Sequence, residues 1–412
     1  MPDTSSVPKA RVPDARSAPR DEHAADGLRD LVETLARHAA EVDREARFPV
    51  ESMGALRRAG YLGYLVPTEY GGMGGDLAGF VDTAQQLAGG CLSTAMIWAM
   101  HCQQVDVLVR HASPCLRAEI LPRVAGGEVY LASVTTGSVG GGQLLTASEP
   151  LLGVSPEQGP DADDFLVLRR TAPVVTGGAH AGGFLVTMRS GEDAAEHAVS
   201  LVYADRAELR VEHTGEWNPL GMRATDSAPL YLQGTVRRDH LIGQPGRFRE
   251  IAADSMVPVG HLAWSACWLG TARKAFSDLI RHLGKDPRTD LSSPLVRERI
   301  ARIRLDLELV SAYLGRTREE VDTVRAAGRT MDGAALRIHL NTLKLAASEL
   351  TFSAVDRMVQ LAGLSLGYSA DSALPLERAF RDLRSASLNY SNDRLWTANG
   401  ALALMDRGVT LL

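Results

Sequence analysis

The residues able to do chemistry fall in a few short stretches. Ala132-Ser133-Val134-Thr135-Thr136 leads toward Gly140-Gly141-Gly142. Hydroxyls and exposed backbone N–H groups on a Gly-rich turn can hold the electron-rich edge of a bound ring. Val174-Val175-Thr176-Gly177-Gly178 offers another hydroxyl beside apolar residues. Tyr390-Ser391-Asn392-Asp393-Arg394 puts a phenol, a carboxylate and a guanidinium in one run. His261, near Trp264 and Trp268, has an imidazole whose ordinary pKa suits a general base, and its setting equally suits a packed, hydrogen-bonded core histidine.

Helices and strands must bring these stretches together. From about Asp26 to Gly127 the pattern is helical: Leu28, Leu31, Val32 and Leu35 share one face, and a loop from Pro67 to Gly75 interrupts the run. From Val129 to about Gly243 short β-rich runs take over, among them Phe165 to Leu168, Phe184 to Met188, Val199 to Tyr203 and Leu230 to Leu232. After Pro245 longer helices return. Ile300, Ile303, Leu307, Val310 and Leu314 form one apolar seam; Leu336, Leu340, Leu343, Ala347, Leu350 and Ala354 form another. Such stripes predict antiparallel packing in a four-helix bundle.

Composition narrows the function classes. With 412 residues, 45% of them apolar, the chain can bury a large core spread over two or three domains. A net charge of -6, from 44 basic and 50 acidic residues, offers no basic field for nucleic acid. The longest apolar runs, Ala95 to Met100 and Val257 to Gly270, are interrupted or too short for a membrane span of about 20 residues. Cys91, Cys102, Cys115 and Cys267 lack metal or redox spacing and read as buried thiols in a reducing compartment. Residues 1–25, rich in Pro, Ser, Ala and Arg, read as a disordered tail without a secretory segment, which predicts a cytoplasmic protein.

Several motifs, in order from about residue 26 to 412, resemble the acyl-CoA dehydrogenase family. Phe48-Pro49, Ala59-Gly60-Tyr61-Leu62-Gly63 and Pro67-Thr68-Glu69-Tyr70-Gly71-Gly72-Met73-Gly74 are similar to its first loop. Ser133 to Thr136 resembles its Thr-Glu-Pro loop, with Thr136 in place of Glu. Val174 to Gly178 resembles its Trp-Ile-Thr-Asn-Gly strand, with Val174 in place of the aromatic ring. Trp217 to Ser227 is similar to its Gly-Met-Arg-x-Thr-x-Ser segment. Gln360-Leu361-Ala362-Gly363 resembles the stretch that receives the adenosine half of FAD from a neighbouring subunit, and Pro375 to Asp382 matches Pro-x-Glu-Arg-x-x-Arg-Asp. The family's Arg-x-x-Phe-Gly segment is not recognisable between His282 and Val296.

The resemblance implies an α+β fold: an N-terminal helical domain over 26–128, a central β barrel over 129–243 and a C-terminal four-helix bundle over 244–412. It implies FAD, held by Ser133, Thr135, Thr136, Val174, Thr176, Gln360, Gly363, Asn392 and Arg394, and a tetramer or dimer of dimers completing the site across subunits. The family's catalytic Glu aligns with Tyr390, a phenol whose pKa of about 10 makes a poor base. In members that carry the Glu on the first long helix of the bundle, Gly260 and His261 correspond. Asp393 is the nearest remaining acid. Two activities follow. One is oxidation of an acyl thioester, bound to CoA or a carrier protein, at Cα–Cβ, using His261, Asp393 or another acid and passing electrons to an acceptor. The other is monooxygenation of an amine, phenol or thioether by a flavin hydroperoxide, for which FMN also serves and a flavin reductase supplies electrons. Val174, Ser391 and Asn392 suit the second.

Overall fold

The computed structural model describes residues 20–137, 144–153 and 162–412. The tail expected over 1–25 lies outside the described residues up to position 19, and so does the Gly140-Gly141-Gly142 turn. The N-terminal helices are α1 (Arg20–Glu45), α2 (Val50–Arg58), α3 (Leu77–Gly90), α4 (Leu92–His111) and α5 (Pro114–Ala125). Local chemistry sets two of their starts. The Asp76 carboxylate accepts from the Gly79 N–H at 2.8 Å, and Ser113 Oγ accepts from the Leu116 N–H at 3.1 Å; each such cap is worth about 1 kcal/mol. Pro114 adds a fixed φ at the first turn of α5. Helix α4 is buried on nearly every face, which its apolar run from Ala95 to Ala99 requires.

The strands are β1 (Leu131–Val134), β2 (Leu152–Gly153), β3 (Phe165–Ala172), β4 (Gly183–Arg189), β5 (Val199–Asp205), β6 (Leu209–His213), β7 (Leu230–Arg237) and β8 (Leu241–Ile242). Among the described residues they form two four-stranded sheets, ordered β1-β4-β5-β8 and β2-β3-β7-β6. Strand β1 runs parallel to β4, with Ser133 opposite Leu185; the other pairings are antiparallel. Strands β4 and β5 are buried on both faces and accordingly read as largely apolar runs, interrupted by Thr187 and Ser200, while β3 alternates.

The C-terminal helices are α6 (Phe248–Ile251), α7 (Val257–Leu283), α8 (Pro294–Ala326), α9 (Ala334–Gly363), α10 (Leu376–Arg384) and α11 (Asn392–Ala403). The expected order of helices, β region and helical bundle is what the chain adopts. The two apolar seams face the core, with Ile300 and Leu350 at its margin. Helix α7 packs so tightly on α3 that a Cβ at Gly270 would lie 2.1 Å from the Gln85 carbonyl oxygen. A π-turn over Ala252–Met256 precedes α7. Pro258 has no N–H for the Asp254 carbonyl, which accepts instead from Arg325 Nη2 at 3.0 Å. Cys91, Cys102 and Cys267 are buried; Cys115, read from sequence as buried too, is exposed because it lies on the outward side of the first turn of α5, with Leu116 turned inward.

Candidate functional site

A cavity of about 520 Å³ lies between the β region and the helices. The chain leaving β1 contributes Ser133, Thr135 and Thr136, and the turn after β3 contributes Val174 and Thr176. Helix α4 adds Met96 and Met100, α7 adds Trp264, and the turn between α10 and α11 adds Tyr390 and Ser391. Arg394 of α11 also lines it.

Hydrogen bonds orient the hydroxyls. Thr136 donates to the Val174 carbonyl at 3.0 Å, joining two walls, and Ser133 Oγ lies 3.4 Å from Thr135 Oγ1. Ser227 donates to Thr225 at 2.8 Å, and Thr225 donates to the Met222 carbonyl at 2.8 Å. Thr176, 3.0 Å from Ser227 Oγ, therefore completes the chain as its first donor and keeps its oxygen lone pairs for a ligand. The turn beside it needs glycine: Gly177 has φ +59°, and a Cβ there would lie 2.7 Å from the Phe48 ring.

A polar brace closes one end. Arg381 reaches both Asp43 carboxylate oxygens, at 3.1 and 2.6 Å, and also Glu377 and the Leu220 carbonyl. Arg223 donates to the Asp43 carbonyl at 2.9 Å. Asp382 accepts from the Met222 N–H at 2.6 Å. Together these tie α1 and α10 to the loop that carries Trp217, whose indole N–H donates to the Met222 carbonyl at 3.2 Å. Burial pushes the Asp382 carboxyl up to about 6, the Met222 N–H opposing it. Gly221 sits so close to α10 that a Cβ would lie 2.0 Å from the Arg381 carbonyl oxygen.

Tyr390 has φ +52°, a strained conformation for a bulky residue, and lines the cavity. It also lines a smaller chamber of about 70 Å³ shared with His261 and Gln103. Burial raises the phenol above its ordinary value. His261 Nδ1 is 3.1 Å from the Leu340 carbonyl, and the ring centroid is 5.8 Å from that of Tyr390. Burial first, and the Lys344 charge second, hold His261 down at about 3.

The remaining expected site residues lie elsewhere. Asp393 is exposed on the first turn of α11 and lines neither cavity. Asn392 is turned into the core, where its Oδ1 accepts from Lys344 Nζ at 2.6 Å and its amide donates to Ser348 and Glu349 at 3.1 Å. Gln360 is exposed and donates to Asp356 at 2.7 Å; Gly363, with φ +74°, ends α9. Neither lines the cavity within one chain. Lys344, outside the expected site residues, is fully buried with its ammonium 5.7 Å from the Trp268 ring centre. Its signal was a lysine four residues beyond Leu340 on an otherwise apolar helix face.

Comparison with known proteins bears on this geometry. Residues 19–128 match the model of the acyl-CoA dehydrogenase N-terminal domain, and residues 252–389 that of the C-terminal domain. The chain is 23% identical to a short-chain-specific acyl-CoA dehydrogenase of Clostridium acetobutylicum over 371 residues, spanning 87% of this chain and 91% of that one. It is 27% identical to the L-evernosamine nitrososynthase of a Micromonospora species over 383 residues, spanning 87% and 84%. Among solved structures, TdsC of a Paenibacillus species, in complex with FMN and indole, superposes with TM-score 0.82 at 20% identity, covering 93% of this chain and 97% of that one. Butyryl-CoA dehydrogenase of Megasphaera elsdenii superposes with TM-score 0.79 at 18% identity, covering 95% and 100%. The matched domains, on either side of a β region that supplies the hydroxyl wall, lead to one assignment: the chain belongs to the acyl-CoA dehydrogenase family and is a flavin-dependent oxidoreductase.

Proposed function

We propose that this protein is a flavin-dependent monooxygenase on the acyl-CoA dehydrogenase fold, placing one oxygen atom of O₂ on a small molecule while the other leaves as water. The lining of the cavities carries this reading: among the described residues, no aspartate or glutamate faces either one. Dehydrogenating an acyl thioester needs a base for the α-proton, with a pKa near the working pH. Tyr390 is held protonated and His261, at about 3, binds a proton too weakly to serve. Among the described residues, the expectation of thioester oxidation therefore finds no proton acceptor in either cavity.

The residues present fit a flavin. Ser133, Thr135, Thr136 and Thr176 would hold the polar edge of the ring, Val174 and Trp217 would flank it, and Arg384 and Arg394 would meet a phosphate. When bound, the flavin supplies two-electron chemistry with O₂. The protein's own part is to keep that space dry and oriented: Met96, Met100 and Trp264 exclude water, and the protonated Tyr390 can donate a hydrogen bond to an oxygen atom beside it. FMN suffices under this reading, the electrons coming from a flavin reductase. FAD would add Gln360 and Gly363 as contacts for its adenosine half, completed by another copy of the chain. Leu364 and Tyr368, next to Gly363 and 79% and 70% exposed, support a covered face there and hence a homo-oligomer. Two similar proteins, a nitrososynthase and a dibenzothiophene monooxygenase, also support oxygen chemistry on this fold.

An anaerobic titration tests the proposal. Flavin-loaded protein mixed with butyryl-CoA is expected to keep its oxidised spectrum; bleaching of the flavin would overturn the reading.

A further inference from the structure

The smaller chamber shares Met100, Trp264 and Tyr390 with the cavity, and its walls also include Gln103, Met256 and His261. Its polar groups are the Ser133 and Thr135 hydroxyls, which lie 3.4 Å apart, the Tyr390 phenol, the Gln103 amide and the His261 ring. The Gln103 amide is used: its Nε2 donates to the Met256 carbonyl, and its Oε1 accepts from Gln104 Nε2 at 3.1 Å. His261 is 1% exposed and only half used. The Leu340 carbonyl can only accept, so the Nδ1 facing it carries the proton. In a neutral ring Nε2 is then a bare lone pair, and among the described residues it has no hydrogen-bond partner. Burial first, and the charge of Lys344 second, set the ring against protonation.

We infer that this chamber is a substrate subsite in which His261 Nε2 accepts a hydrogen bond from an uncharged donor, a hydroxyl or an aromatic or amide N–H, on the substrate. The inference rests on the reading of the larger cavity as the flavin and substrate site. It narrows the substrate class in two ways. A hydrocarbon chain would leave Nε2 buried without a partner, which a site built around an acceptor rejects. An ammonium group would have to bury its charge in the same apolar surroundings that keep His261 neutral. A small ring bearing one O–H or N–H satisfies both conditions, with Tyr390 and Trp264 at its sides.

Phenol and toluene, alike in shape and different in the donor, are the probes. Calorimetry on the flavin-loaded and flavin-free protein is expected to show phenol binding about tenfold tighter than toluene, and His261→Phe to abolish the difference. In ¹⁵N-histidine spectra of the unsubstituted protein, the unprotonated Nε2 resonance should move with phenol and stay with toluene. Equal binding of the two probes, a preference that survives in His261→Phe, or an unmoved resonance would overturn the inference. A parallel flavin titration separates the two readings: failure of flavin to bind sinks the larger-cavity assignment, while the probes on flavin-free protein still decide the subsite.

Discussion

The two ends of the cavity handle charge in opposite ways. At the brace, the Asp43 and Glu377 carboxylates are matched by direct bonds from Arg381, and Arg223 holds the Asp43 backbone carbonyl. At the inner end, Tyr390 and His261 are ionisable groups that burial keeps neutral, among Met100, Trp264 and Met256. Paired charges fix geometry, whereas neutral groups in a dry chamber leave proton transfer unsupported and favour chemistry that needs water excluded. The brace builds the site; the inner end selects what can happen in it.

The largest effect should come from the brace. Gly221→Ala pushes a methyl into the Arg381 carbonyl and is expected to cost about 3 kcal/mol or more, read as a fall in unfolding midpoint with loss of flavin binding. An unchanged midpoint would mean that the loop and α10 do not meet this closely.

Asp382 gives a pH signature of similar size. Its folded pKa of about 6 lies above the ordinary value of 3.8, so its contribution to stability is fully present below pH 3.8 and is lost as pH rises through 6. The difference amounts to roughly 3 kcal/mol. In Asp382→Asn that component should vanish from the pH dependence of unfolding, the amide oxygen still accepting from Met222. A profile identical to the parent's would show that the carboxyl is not held as described.

At the inner end, Tyr390→Phe removes one hydroxyl and leaves the packing, so the unfolding free energy should change by less than about 1 kcal/mol. Oxygenation should slow about tenfold, as expected for one lost hydrogen bond near the reacting atoms. Asp393→Ala sharpens the contrast from the other side. Exposed and outside both cavities, it should alter stability by less than about 0.5 kcal/mol and leave flavin binding alone. A lost activity in Asp393→Ala would return that acid to the mechanism.

The sequence made the element order legible because helical seams and β runs are local patterns. Ile303, Leu307, Val310 and Leu314 are buried on α8 as their spacing predicts. The hydroxyl wall was legible through short motifs, and Ser133, Thr135, Thr136, Val174 and Thr176 all line one cavity. What stayed hidden depends on contacts between distant segments. Tyr390, Asn392 and Asp393 are near neighbours in sequence, yet one lines the cavity, one enters the core and one faces solvent. The Lys344 bond to Asn392 sets that phase, and nothing local to the turn announces a lysine from α9. The parallel pairing of β1 with β4 and the two-residue strands β2 and β8 were equally invisible, since such pairings carry no periodic signal.

The measurement closest to the central claim is stopped-flow mixing of the reduced, flavin-loaded protein with oxygenated buffer. A lasting third spectrum, distinct from reduced and oxidised flavin and lengthened by a bound phenol, is the predicted result. Direct return to the oxidised spectrum in a single phase, whatever is bound, would contradict it.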